Sequence, residues 1–110
     1  MENNKTLNEK LSLVKDAVLK YIPAKYIYLF GSHVDGNASD DSDIDVYVVY
    51  PDYVDDDIFF YANITGELCE KKIYDIDLHY SNESHFNKYK NLSRFQKTIF
   101  EKGILLYDNV

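Results

Sequence analysis

Ten residues separate the pair Gly31-Ser32 from Asp43, and Asp45 follows two positions later. A glycine lets backbone come close to a bulky anion. A serine hydroxyl and neighbouring amides at the start of a helical turn donate hydrogen bonds to phosphate. Asp43 and Asp45, two apart at the opening of a strand, are expected to point to one side. There their hard oxygens suit a divalent cation such as Mg²⁺. Asp77 lies in a second acidic alternation, Asp75, Asp77 and His79, and brings a third carboxylate if the two strands are neighbours. Three carboxylates facing a phosphate cradle are suited to metal-assisted phosphoryl or nucleotidyl transfer. Without a cation they would repel one another, so their clustering asks for a metal ion or water. Asp75 shares the face of Asp77 and is the alternative third carboxylate. His33, beside the cradle, is either a phosphate or acceptor contact or an ordinary loop residue, and His79 is open in the same way.

These residues need a strand, a turn and two further strand openings to hold them. Thr6 and Glu9 have capping-box spacing, and Leu7, Leu11, Val14, Val18 and Tyr21 recur at helical intervals, which predicts a helix from Thr6 to about Tyr21. Pro23 ends it. Tyr26 to Phe30 then reads as a strand, stopped by Gly31. His33 to Ser42 is polar and small, a short helical turn plus loop. Ile44 to Tyr50 is a nearly continuous apolar run, as in a strand covered on both faces. Asp55 to Asp57 favour a helix start, with Ile58, Tyr61, Thr65, Leu68 and Cys69 along one apolar face and Cys69 packed within it. Ile73 to Tyr80 alternates as a strand. Phe86, Tyr89, Leu92, Phe95, Ile99 and Phe100 trace a final helix, which Gly103 ends at its C′ position, and Ile104 to Tyr107 forms a last short strand. The order predicts one layered α/β (α+β) domain over residues 1–110.

Composition narrows the partners. With 45% hydrophobic and 28% charged residues the chain is globular rather than disordered. A net charge of −7 repels nucleic acid and anionic membrane and favours a basic protein or a bound cation. The 11 tyrosines are therefore expected in the core and at its rim rather than as a base-stacking surface. A lone cysteine, no apolar leader and no run near the roughly 20 residues that cross a bilayer predict a cytoplasmic protein without a membrane span.

The stretch LFGSHVDGNASDDSDIDV, Leu29 to Val46, resembles the G-S-x10-D-x-D signature of minimal nucleotidyltransferases, relatives of the polymerase β palm. The ending IFEKGILLY, Ile99 to Tyr107, is similar to that family's closing helix and strand. The resemblance implies a mixed sheet of about four strands flanked by helices, with ATP and a pair of Mg²⁺ ions as substrate and cofactor. It also implies roles for the residues. Asp43 and Asp45 bind both metals, Gly31 and Ser32 hold the triphosphate, and Asp77 is the third catalytic carboxylate, placed to take the acceptor's proton. Where family members carry basic residues after the Gly-Ser pair, this chain has His33, Val34 and Asp35, which leaves more phosphate charge for metal to neutralise. Small members resemble the antitoxin half of MNT/HEPN toxin–antitoxin pairs, which adds AMP to a tyrosine of a partner ribonuclease. That implies a HEPN-type toxin from a neighbouring gene as partner. Two other functions fit the same residues: a non-catalytic module that neutralises its partner by covering it, and a small-molecule adenylyltransferase of the aminoglycoside-modifying type.

Overall fold

Thr6 opens the first helix, α1 (Leu7–Tyr21), in the computed structural model, which describes residues 5–39, 41–55 and 58–109. The Thr6 hydroxyl accepts from the Glu9 amide at 3.2 Å, and the Glu9 carboxylate accepts from the Thr6 amide at 2.8 Å. This is the reciprocal cap that the spacing predicts. Leu11, Val14, Ala17 and Val18 are buried along one stripe of α1. Thr6→Ala removes half of the cap and is expected to cost about 1 kcal/mol. Thermal unfolding should show it as a fall of roughly 4–8 °C.

The chain continues through β1 (Tyr26–Phe30), α2 (Ser32–Asp35), β2 (Ile44–Tyr50), α3 (Ile58–Glu70), β3 (Ile76–Asn82), α4 (Glu83–Tyr89), α5 (Arg94–Lys102) and β4 (Ile104–Asp108). The strands form one mixed sheet in the order β3-β2-β1-β4. β2 and β3 run parallel, joined through α3, while β1 pairs antiparallel with both β2 and β4. Strand alternation divides the side chains between two faces. Ile27, Leu29, Ile44, Val46, Val48 and Leu78 pack in one core cluster with the buried stripe of α1 and with Ile64 and Leu68 of α3. Tyr28, Tyr47 and Val49 pack in a second with Phe86 of α4 and Ile99 of α5. β2 is thus covered on both sides, as its unbroken apolar run predicts. Tyr28, Tyr47 and Tyr50 are core residues, whereas Tyr53 and Tyr74 are exposed. No helix of the described residues is long and apolar enough to cross a membrane.

Four local expectations are corrected. On α3 the buried residues are Ile64 and Leu68, with Phe60 partly buried, while Tyr61 and Cys69 are exposed. The aliphatic Ile64 turns inward in place of Thr65, whose hydroxyl donates back to the Tyr61 carbonyl at 2.7 Å. The third strand begins at Ile76 rather than Ile73. Lys72 takes a left-handed conformation (φ 62°), and the Lys72 and Ile73 amides bond back to Cys69 and Leu68, so these residues close α3 instead of pairing. The final helix is two helices, parted at Lys90 to Ser93, where the Leu92 and Ser93 amides both donate to the Tyr89 carbonyl. Leu92 is consequently 73% exposed. Gly103 does follow α5 but is extended (φ −65°, ψ 151°) rather than left-handed. A side chain there would press on the Ile99 carbonyl and the Tyr28 ring, which explains the glycine. Asp40, Asp56, Asp57 and the Ile58 side chain lie outside the described residues; Asp41 and Asp55 are exposed.

Candidate active site

Register brings the acidic residues together. The parallel pairing of β2 with β3 sets Asp45 opposite Asp77, and the antiparallel pairing of β1 with β2 sets Phe30 opposite Asp45. The site therefore forms where β1 ends and where β2 and β3 begin, on the face carrying Phe30 and Tyr47. One oxygen from each of Asp45 and Asp77 and one ring nitrogen of His79 lie within 4.8 Å of one another. His79 Nε2 is 3.3 Å from Asp77 Oδ2. The His79 ring lies against Phe30 and Phe95, with centroids 5.5 and 5.6 Å away. The Asp77 side chain is 53% exposed, whereas Asp45 is partly buried.

Gly31 caps this corner. It caps the N-terminus of α2 with φ 82° and ψ −150°, a conformation that L side chains rarely adopt. A Cβ there would overlap Asp45 Oδ2 and stand 3.1 Å from Asp45 Cγ. The Gly31 carbonyl accepts from the Val34 and Asp35 amides at 2.9 and 3.0 Å, which winds Ser32 and His33 into the opening turn of α2. His33 Nε2 lies 3.4 Å from the Ser42 carbonyl, tying α2 to the far end of the loop.

Asp43 and Asp75 are placed differently from Asp45 and Asp77. β2 starts at Ile44, so Asp43 stands just ahead of the strand, exposed, rather than on it, and its oxygens are outside the set of donors within 4.8 Å. Asp75 precedes β3 and its carboxylate pairs with Lys10 Nζ at 2.8 Å. Its backbone carbonyl accepts from the Ile44 amide at 2.7 Å. The Lys10 contact and the ring of Phe95 were not foreseeable from motif spacing. His79 was, since strand alternation puts it on the face of Asp77.

Burial raises the Asp45 carboxyl above the ordinary carboxylate range. A hydrogen bond with Asp77 and the negative charge of Asp77 push it further, His79 pulls it back, and Asp43 adds a smaller upward push. A carboxyl raised in the folded state binds more protons folded than unfolded. The stability it brings is present in acid and is lost as pH rises through the raised value. Asp45→Asn should therefore raise the melting temperature of the metal-free protein at neutral pH, where the burial and the Asp77 charge act against the wild-type carboxylate. In chelator the gain should shrink as the pH is lowered, because wild-type Asp45 then carries a proton too. A divalent cation fits the donor set, since two hard oxygens held against each other are the groups a cation would reconcile.

The profile of the family described as polymerase beta, nucleotidyltransferase matches residues 12–110. By sequence, no curated protein matches the chain. Among solved structures, it is similar to a chain of a toxin–antitoxin complex with AMP-PNP, at 21% identity and a TM-score of 0.59, over 90% of this chain and 73% of that one. It is likewise similar to a chain of the tri-AMPylated Shewanella oneidensis HEPN toxin in complex with MNT antitoxin, at 20% identity and a TM-score of 0.59, over 94% and 74% of the two chains. A candidate nucleotidyltransferase of Sulfolobus solfataricus matches at 18% identity and a TM-score of 0.57, over 99% and 93%. At these identities the likeness is one of fold.

Proposed function

Because the chain belongs to the polymerase β nucleotidyltransferase family, we propose that it transfers AMP from ATP to a hydroxyl, that of a tyrosine above all, on a HEPN-type ribonuclease toxin encoded beside it. In doing so it acts as the antitoxin, in the cytoplasm, with residues 1–110 as one nucleotidyltransferase domain. The observation that carries this is the register of β2 against β3, which sets the Asp45 and Asp77 carboxylates face to face beside Gly31. The likeness to complexes holding AMP-PNP and an AMPylated HEPN toxin supports the choice of nucleotide and partner.

In this mechanism the open backbone at Gly31, with Ser32 and the amides opening α2, holds the triphosphate. Asp43, Asp45 and Asp77 would hold Mg²⁺, which when bound would neutralise phosphate charge and polarise the α-phosphate. The acceptor oxygen attacks the α-phosphorus, the bond to the β-phosphate oxygen breaks, and pyrophosphate leaves. Asp77 accepts the acceptor's proton; it is the more exposed of the facing pair and so the one an approaching hydroxyl meets. Asp45, the less exposed of the pair, would hold the metal rather than meet the acceptor.

Asp43→Asn separates catalysis from simple cover. Co-expressed with the neighbouring toxin, wild-type protein should restore growth and leave AMP on the toxin, and the variant should do neither. Restored growth with an unmodified toxin would mean that the domain neutralises by binding alone. Transfer to small alcohols by the purified protein, without any toxin, would mean a small-molecule adenylyltransferase.

A further inference from the structure

Among the described residues, the donor atoms that the fold gathers are not three carboxylates. They are two oxygens, from Asp45 and Asp77, and one nitrogen, from His79, while the Asp43 oxygens stand outside the set. His79 turns its distal nitrogen, Nε2, toward Asp77 Oδ2 at 3.3 Å. Phe30 and Phe95 lie against its ring, with interplanar angles of 60° and 63°, and so restrict its orientation before any ligand arrives. This matters for ion choice. Mg²⁺ prefers oxygen donors and gives up water reluctantly, whereas Mn²⁺, which also favours oxygen, opens the first-row series and tolerates an imidazole among its ligands better than Mg²⁺ does.

We propose that His79 is a metal ligand alongside Asp45 and Asp77, and that its nitrogen tilts the site from Mg²⁺ toward Mn²⁺. The proposal rests on Asp45 and Asp77 being metal-binding carboxylates, as above. It goes beyond that reading in adding a histidine nitrogen to a ligand set that the motif fills with carboxylates alone. The simpler role for His79 is a hydrogen bond that orients Asp77 from outside the metal's shell. The two roles differ in what the bound ion touches and in which ions are affected.

The test is Mn²⁺ titration of the full chain without nucleotide, followed by electron paramagnetic resonance. Pulsed measurements on the bound ion report any directly coordinated nitrogen. Wild-type protein should bind Mn²⁺ with nitrogen coupling from one imidazole. His79→Gln should lose that coupling and about tenfold in Mn²⁺ affinity, while Mg²⁺ affinity, measured by competition, changes less than about threefold. Bound Mn²⁺ without nitrogen coupling in the wild-type protein overturns the proposal and needs no variant to do so. Equal losses for both ions in His79→Gln also overturn it and leave His79 as a positioning residue for Asp77. Wild-type affinity retained in Asp45→Asn, or no Mn²⁺ bound at all, would instead sink the metal-binding role of the carboxylates and the proposal with it.

Discussion

Asp45→Asn and Asp77→Asn should each lower AMP transfer by roughly a thousandfold, about 4 kcal/mol of barrier, while the protein stays folded. Both substitutions keep shape and remove charge, so neither leaves a cavity. They should differ in how they fail. Asp45 is partly buried and faces Gly31, so Asn at 45 is expected to weaken metal binding first. Asp77 is half exposed and, on the proposed mechanism, meets the acceptor, so Asn at 77 should slow the chemical step even at saturating metal. Single-turnover assays over a range of pH and metal concentration would check both. Asp75→Asn is the control. Its carboxylate is engaged by Lys10, away from the cluster, and the change should cost no more than about 1 kcal/mol of stability and less than tenfold in rate.

Gly31→Ala is expected to be the most damaging change of a single methyl group. Position 31 has φ 82° and ψ −150°, and the added Cβ would overlap an Asp45 carboxylate oxygen. Backbone strain and the clash together should cost about 2–4 kcal/mol, and transfer should be lost even at temperatures where the variant is folded, because Asp45 must move. Gly36 provides the comparison. It ends α2 with φ 82° and ψ 11°, and a Cβ there meets nothing within 4 Å. Gly36→Ala should therefore cost only about 1–2 kcal/mol and leave activity near normal once folded. Denaturant unfolding and activity on the paired variants would separate strain from displacement of Asp45.

Much of the fold was legible because it is written in local chemistry. Thr6 with Glu9 marks a helix start, Pro23 and Gly31 bracket β1, and the unbroken apolar run of Ile44 to Tyr50 announces a strand buried on both faces. The failures share a cause: the residue at a boundary was not the type that usually marks it. Lys72, not glycine or asparagine, takes the left-handed position that ends α3, so the alternation places the start of β3 three residues too early. The break between α4 and α5 falls at Lys90 to Ser93, with neither glycine nor proline, and the aromatic period runs straight across it. Ser93 followed three residues later by Gln96 was the available signal. On α3, period alone could not choose between the Ile64 stripe and the Thr65 stripe one residue away.

In the site, Gly31, Asp45 and Asp77 were legible from spacing and strand alternation, and the structure brings them to one corner. What spacing could not show was the register of β2 on β3. That register sets Asp45 opposite Asp77, with His79 on the same face of β3, while Asp43 lies ahead of the start of β2. The Lys10 contact with Asp75 is equally a matter of tertiary placement, spanning 65 positions in sequence. It distinguishes two carboxylates that alternation alone treats as equivalent.

The most direct measurement incubates the protein with α-labelled ATP, Mg²⁺ or Mn²⁺ and the product of its neighbouring gene, beside Asp45→Asn and a γ-labelled control. Intact-mass analysis of the neighbour follows. Label from the α position only, lost in Asp45→Asn and accompanied by mass increments of AMP on the neighbour, is the predicted result. A stable complex of the two wild-type proteins in which neither label nor added mass appears with either metal would contradict nucleotidyl transfer to that partner.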